Sequence, residues 1–205
     1  MLKLRVLTLA TLGITALSFA QSQEEEVRPA LSKDPLTAEQ IAVYRVFLQS
    51  YDNGSKAALN LANKTEPMDL PDTSKDLECL KGIKLENRQE VASVVHMLDV
   101  SLAVKGRVVL VDPEQQSSKV KSNDPSKTMR EGKSADEAVA TAYGSGLLTV
   151  SEIAFDKGHH WAVVSFSFYC GRLCGHGSIL VLEKVLKKTG AEWKLTKREC
   201  IAWIS

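Results

Sequence analysis

The apolar positions of this chain change period near residue 147. Before that point they recur at helical spacing, and after it they alternate. The alternating region divides into four runs, residues 147–155, 161–170, 178–186 and 193–204, joined by short polar or glycine-rich links. That pattern predicts an antiparallel meander. Ala162, Val164, Phe166, Phe168 and Cys170 share one face of the second run, while Ser165 and Ser167 dilute the other. One face of the sheet is therefore expected to be buried against helices. In the last run Trp193, Leu195, Ile201 and Trp203 share a parity interrupted by Lys197 and Glu199, which calls for a bulge or partial exposure.

Helical signals precede the sheet. Thr37 and Gln40 are spaced as a capping box, and Ile41, Tyr44, Leu48 and Tyr51 follow as an apolar stripe that Asn53-Gly54 ends. Residues 57–62 alternate weakly, as a strand would. Asn87 and Glu90 resemble a cap and its third residue, with Val91, Val94, Val95 and Leu98 as the stripe of a second helix over 87–98. Residues 107–112 are β-branched and read as a strand closed by Pro113. Residues 113–133 are rich in Ser, Lys, Asp and Gln and read as a polar mobile loop, a possible recognition segment. Ser134 and Glu137 form another capping box that opens a helix to about Tyr143. The expected fold class is α+β: N-terminal helices packed on a C-terminal antiparallel meander of four or more strands, forming a single domain over 36–205.

Residues 1–20 carry Lys3 and Arg5, then an apolar run over 6–17, then Ser18-Phe19-Ala20. This is the pattern of a secretory signal peptide. Its apolar run falls short of the roughly 20 residues of a membrane-spanning helix. Residues 21–35 are acidic and proline-marked and read as a disordered leader. The expected location is periplasmic or secreted, with no membrane span once the signal is removed. Loss of Lys3 and Arg5 takes the formal net charge from +1 to −1, which gives nucleic acid no electrostatic attraction. A mature chain of about 185 residues can bury a core without metals or many crosslinks.

All four cysteines, Cys79, Cys170, Cys174 and Cys200, are disulfide candidates in an oxidising compartment. Cys170 and Cys174 flank a corner rich in glycine, at Gly171, Gly175 and Gly177. Extended, their Cα atoms would stand roughly 13 Å apart, against about 7 Å for a bridge, so a local disulfide needs a turn. Closing that loop is worth roughly 2 kcal/mol and closing Cys79 to Cys200 nearly 5, which favours this pairing. A hairpin register placing Cys200 opposite about Ile179, and Ile179 opposite about Tyr169, keeps Cys200 with Cys174 or Cys170 open. The chemical alternative is a thiol or metal site on Cys170, Cys174 and His176, with Cys200 as fourth ligand. The spacing is not that of a thioredoxin motif.

Other residues read more plainly. His159 and His160 sit in a hairpin turn, read as bland surface about 33 Å from the corner along a straight strand. His96 and Asp99 would share a helix face, and Gly144-Ser-Gly146 is a helix stop and not a nucleophile elbow. Trp161, Tyr169, Trp193 and Trp203 read as core or rim packing rather than a ligand platform.

The elements Ile153-Ala-Phe-Asp156, Phe168-Tyr-Cys-Gly-Arg-Leu-Cys-Gly-His-Gly177, Val181-Leu-Glu-Lys184, Trp193-Lys194 and Trp203-Ile-Ser205 resemble an uncharacterised family of secreted bacterial proteins. The resemblance covers about residues 134–205 and implies that the meander is one unit, with no activity, cofactor or catalytic residue to transfer. No complete catalytic constellation is legible. The expectation is therefore a non-catalytic exported protein that binds a partner protein or small ligand, or serves the cell envelope, and no cofactor is implied.

Overall fold

The computed structural model describes residues 29–204 apart from 55, 69, 71–76 and 189. The signal-peptide reading of residues 1–20 and most of the leader lie outside the described residues. In chain order the elements are β1 (Ala30–Leu31), α1 (Ala38–Ser50), β2 (Leu59–Ala62), α2 (Arg88–Val91), β3 (Val94–Val95), β4 (Val108–Val111), α3 (Pro113–Ser122), α4 (Pro125–Arg130), α5 (Ala135–Ser145), β5 (Leu147–Val150), β6 (Ala154–Phe155), β7 (Trp161–Gly171), β8 (Cys174–Lys187) and β9 (Gly190–Ile204). Both capping boxes form, at Thr37 with Gln40 and at Ser134 with Glu137.

The fold is α+β, but its sheet is mixed. Seven strands are involved, in the order β4-β2-β5-β7-β8-β9, with β6 also pairing β7. From β5 to β9 every pairing is antiparallel, whereas β2 runs parallel to both β4 and β5. This corrects the purely antiparallel expectation. Parallel neighbours need long crossover connections, and residues 63–107 and the α3–α5 segment supply them. For the same reason the helices are not all N-terminal, since three of them form the second crossover.

Residues 113–133 are a second correction. They are not a loop. Asp112 caps α3 by accepting from the Gln115 amide, Asp124 caps α4 by accepting from the Lys127 amide, and Pro113 and Pro125 stand in the first turns. Proline has no N–H to lose there and its φ already suits a helix, so the residue read as a strand stop is a helix start. The helix expected over 87–98 lasts one turn. Asn87 turns its side chain away from capping and bonds Phe155 N and Ile153 O, and the β-branched Val94 and Val95 pair with Ala30 and Leu31 as strands.

Both sheet faces carry covers. On one, Val43, Tyr44, Phe47 and Leu48 of α1 form a cluster with Leu148, Val150, Ala162, Val164, Phe168 and Cys170. On the other, Met68, Leu70, Cys79, Leu80 and Val91 cover Ala154, Val163 and Val181, while Val120 of α3 packs with Ala62 and Leu147. The opposite face is thus covered at two places. Ser165 and Ser167 lie in the strip between them. Among the described residues no helix is long and apolar enough to cross a membrane.

Candidate functional site

Strand β7 runs to Gly171 and β8 starts at Cys174, so the corner expected over 171–177 tightens to a turn at Arg172-Leu173. Gly171 has φ 131° and Leu173 φ 56°. A Cβ on Gly171 would meet Pro125 and Asp124 of the α4 N-terminus, so glycine is required there for space as well as for backbone conformation. Asp124 is buried and its Oδ2 accepts from the Arg172 amide at 2.6 Å. The shorter turn also moves the register: Ile179 faces Ser165, and Tyr169 faces Gly175. Cys170 is bonded to Cys174 and Cys79 to Cys200, each with Cα atoms 5.1 Å apart, and no cysteine is free.

His176 therefore lies within β8, on the α1 face. Its Nε2 is 3.0 Å from the Tyr51 hydroxyl, and its ring stacks on Tyr51 with centroids 5.9 Å apart, beside Phe166 and Phe168. Burial lowers the His176 pKa and raises that of Tyr51, whose phenol nearby Tyr143 and Asp52 push in the same direction. Among the described residues no group of three or more His, Cys, Asp or Glu side chains is placed to hold a metal ion.

The two turn histidines are not bland. His159 Nδ1 is 2.7 Å from Glu39 Oε2, its ring stacks on Phe155 at 4.6 Å, and Lys184 bonds the other Glu39 oxygen. Partial burial raises the Glu39 pKa, but hydrogen bonds and charge from Lys184 and His159 outweigh it and leave the carboxyl below its ordinary value. His160 stands 3.7 Å from Asp156. This cluster ties α1 to the β6–β7 turn and to β8. Asp99 is not paired with His96; it accepts from the Ser101 amide at 2.7 Å. Gly146 ends α5, donating to Tyr143 O.

His96 belongs instead to a buried network that the sequence reading missed. Glu152, 1% exposed, accepts from His96 N and approaches His96 Nδ1, both at 2.9 Å, and accepts from the Thr65 hydroxyl. Beside it the Tyr44 hydroxyl donates to Ser151 O at 2.7 Å, and burial, then the Glu152 charge, raises the Tyr44 pKa. The signal was a lone carboxylate inside the apolar run 147–155.

A further candidate site is the open strip. Thr149 faces Ser167, Ser167 faces Gly177, and Gly177 faces Trp203, so these four stand in one row across β5, β7, β8 and β9. Directly paired residues share a face. A Cβ on Gly177 would meet the Trp203 indole and the Phe166 carbonyl oxygen, so the indole lies on the backbone of Gly177. Trp203 is 41% exposed, at the rim rather than in the core. Glu66 is held above the row by backbone bonds from Glu66 N to Val150 O and from Glu152 N to Glu66 O. Burial of its carboxyl raises its pKa, against the opposing pull of a Thr149 hydrogen bond and the Lys64 charge. Glu66, Thr149, Ser167 and Trp203, with Ser165, Phe166, Ser178 and Ile179, line a cavity of about 270 Å³.

Compared with family models, curated proteins and solved structures, the chain matches none.

Proposed function

We propose that this is an exported, non-catalytic binding protein of the periplasm or the medium, taking its ligand on the open strip of the sheet around Thr149, Ser165, Ser167 and Trp203. The observation that carries the reading is the contrast between this strip and the rest of the molecule. Elsewhere the chemistry-bearing side chains are engaged with one another: the four cysteines in two bridges, His176 with Tyr51, His159 with Glu39, Glu152 with His96 and Thr65. In the strip, by contrast, the hydroxyls of Ser165 and Ser167 have no protein partner among the described residues. They face a cavity that ends in an exposed indole. Convergent polar groups beside an apolar surface in a concavity are the usual form of a ligand site. The two disulfides and the resemblance of residues 134–205 to secreted bacterial proteins support the exported location.

The test is titration of the ¹⁵N-labelled mature protein with soluble cell-envelope fragments, followed by amide and indole resonances. The expected result is saturable shifts at Thr149, Ser165, Ser167 and Trp203. Shifts confined to another surface overturn the placement. Turnover in hydrolase or oxidoreductase screens, or stoichiometric zinc with free thiols at 170 and 174, overturns the non-catalytic reading.

A further inference from the structure

We infer that the strip takes a sugar ring, its C–H face stacked on the Trp203 indole and its hydroxyls met by Glu66, Thr149, Ser165 and Ser167. This rests on the reading of the strip as the binding site and names the chemistry it selects.

Three features of the strip point to a sugar. The first is the platform. Gly177 has no Cβ, so the indole packs closely against the sheet there, a contact that restricts its rotamers, while 41% of Trp203 stays exposed. A ligand stacking on a ring already fixed loses little additional conformational freedom. A pyranose presents a flat patch of C–H groups to such a ring and directs its hydroxyls outward, in the plane of the ring.

The second is the polar edge. Each serine hydroxyl both donates and accepts, as each sugar hydroxyl does, and Glu66 adds a strong acceptor. Ser165 and Ser167 alternate along β7 on the face that carries the row, so their hydroxyls are two residues apart, about 6.6 Å along a strand. That spacing suits two separate hydroxyls of one ring. Glu66 and Thr149 line the same cavity, and the backbone bonds from Glu66 N to Val150 O and from Glu152 N to Glu66 O hold the Glu66 main chain beside it.

The third is what is missing from the lining. A quaternary ammonium ion is held by a cage of several aromatic faces. Among the described residues, the two aromatic side chains that line the cavity are Phe166 and Trp203, and the Phe166 ring packs with Phe47, Tyr51 and His176 in the α1-face aromatic cluster, so no aromatic cage forms. At about 270 Å³ the cavity is near the small end of ligand sites, right for one ring of a glycan and too small for a protein segment of any length.

The experiment follows the Trp203 indole N–H and the amides of Ser165 and Ser167 in the ¹⁵N-labelled protein. Cellotriose, maltotriose and tri-N-acetylchitotriose are added in turn at millimolar concentration, with choline chloride as the cationic probe. The expected result is saturable shifts from at least one of the sugars. Trp203→Ala and Gly177→Ala each weaken that binding about tenfold or more, as loss of a central aromatic contact does. Trp203→Phe, which keeps a ring, retains part of it and serves as the readout should the alanine variants unfold. Glu66→Gln binds better than Glu66→Ala, because an amide still meets a hydroxyl. No saturable shift from any of the three sugars overturns the sugar assignment, as does choline binding that Glu66→Gln abolishes. If envelope fragments still shift the strip in those cases, only the ligand class falls; if nothing shifts it, the binding-site reading falls too.

Discussion

The Tyr51 hydroxyl lies 3.0 Å from His176 Nε2, joining the C-cap of α1 to the start of β8 across 125 residues of sequence. Burial disfavours both the phenolate and the imidazolium, so the pair is held neutral. The native His176 pKa is therefore below the ordinary 6.5. The unfolded chain binds the proton first as pH falls, so stability is complete above about 6.5 and declines as pH drops toward the depressed native value. In His176→Gln this part of the decline disappears. Urea midpoints measured for both proteins from pH 7.5 to 5 check it: the wild-type advantage should shrink on acidification, and a constant difference would count against the assignment.

The two disulfides should differ sharply in worth. Cys79–Cys200 spans 121 positions and pins the 68–91 cover to β9, whereas Cys170–Cys174 spans four. On the loop-entropy account the first contributes about 5 kcal/mol and the second about 2. Replacing Cys79 and Cys200 by alanine should lower the denaturation midpoint by more than twice the shift caused by replacing Cys170 and Cys174. Non-reducing peptide mapping should give these two linked pairs and no others.

Local signals in the sequence located most of the elements but not their partners. The capping boxes at Thr37 and Ser134 and the alternation through β7–β9 are short-range patterns, and the structure contains each of them. The parallel pairing of Leu59–Ala62 with Val108–Val111 and with Leu147-Leu148 joins segments some 50 to 90 positions apart. No local period encodes such a pairing. Pro113 and Pro125 fit both a strand stop and a helix first turn, and only the aspartate before each one distinguishes them. The open strip was half legible. Ser165 and Ser167 mark a diluted face, but the core-or-rim reading of Trp203 does not place it over this face, because its contact, Gly177, belongs to a neighbouring strand.

Glu152 is the side chain whose loss should cost most among the polar residues. It is 1% exposed and serves the Thr65 hydroxyl, the His96 amide and the His96 ring. Glu152→Ala removes the shared carboxylate, leaving the His96 amide with Thr65 Oγ1 and the Thr65 hydroxyl with His96 O as their remaining acceptors, and the expected cost is about 2–4 kcal/mol. Thr65→Val removes one donor to the carboxylate, and the His96 amide that also donates to Thr65 keeps Glu152 as its acceptor, so it should cost much less. Thermal and urea unfolding of both variants check the order, and equal losses would show that the network is not centred on the carboxylate.

Asp124 couples α4 to the disulfide turn, and its charge state should control that link. Its carboxylate caps α4 through the Lys127 amide and holds the turn through the Arg172 amide. The Arg172 hydrogen bond is the largest influence on its pKa; burial pushes the other way, and the helix amides help keep the carboxyl below its ordinary 3.8. A depressed native pKa means stability that is present above 3.8 and lost as pH falls through the native value. Asp124→Ala should cost about 1–2 kcal/mol near neutral pH, the usual price of an N-cap. Asp124→Asn keeps a capping oxygen and should cost less, and its difference from wild type should vanish in strong acid, where the wild-type carboxyl is also neutral. Hydrogen exchange gives the local readout: at neutral pH the Arg172 amide should exchange faster in Asp124→Ala than in wild type, while amides in the middle of β7 keep their protection. Unchanged exchange at Arg172 would mean that the disulfide alone holds the turn.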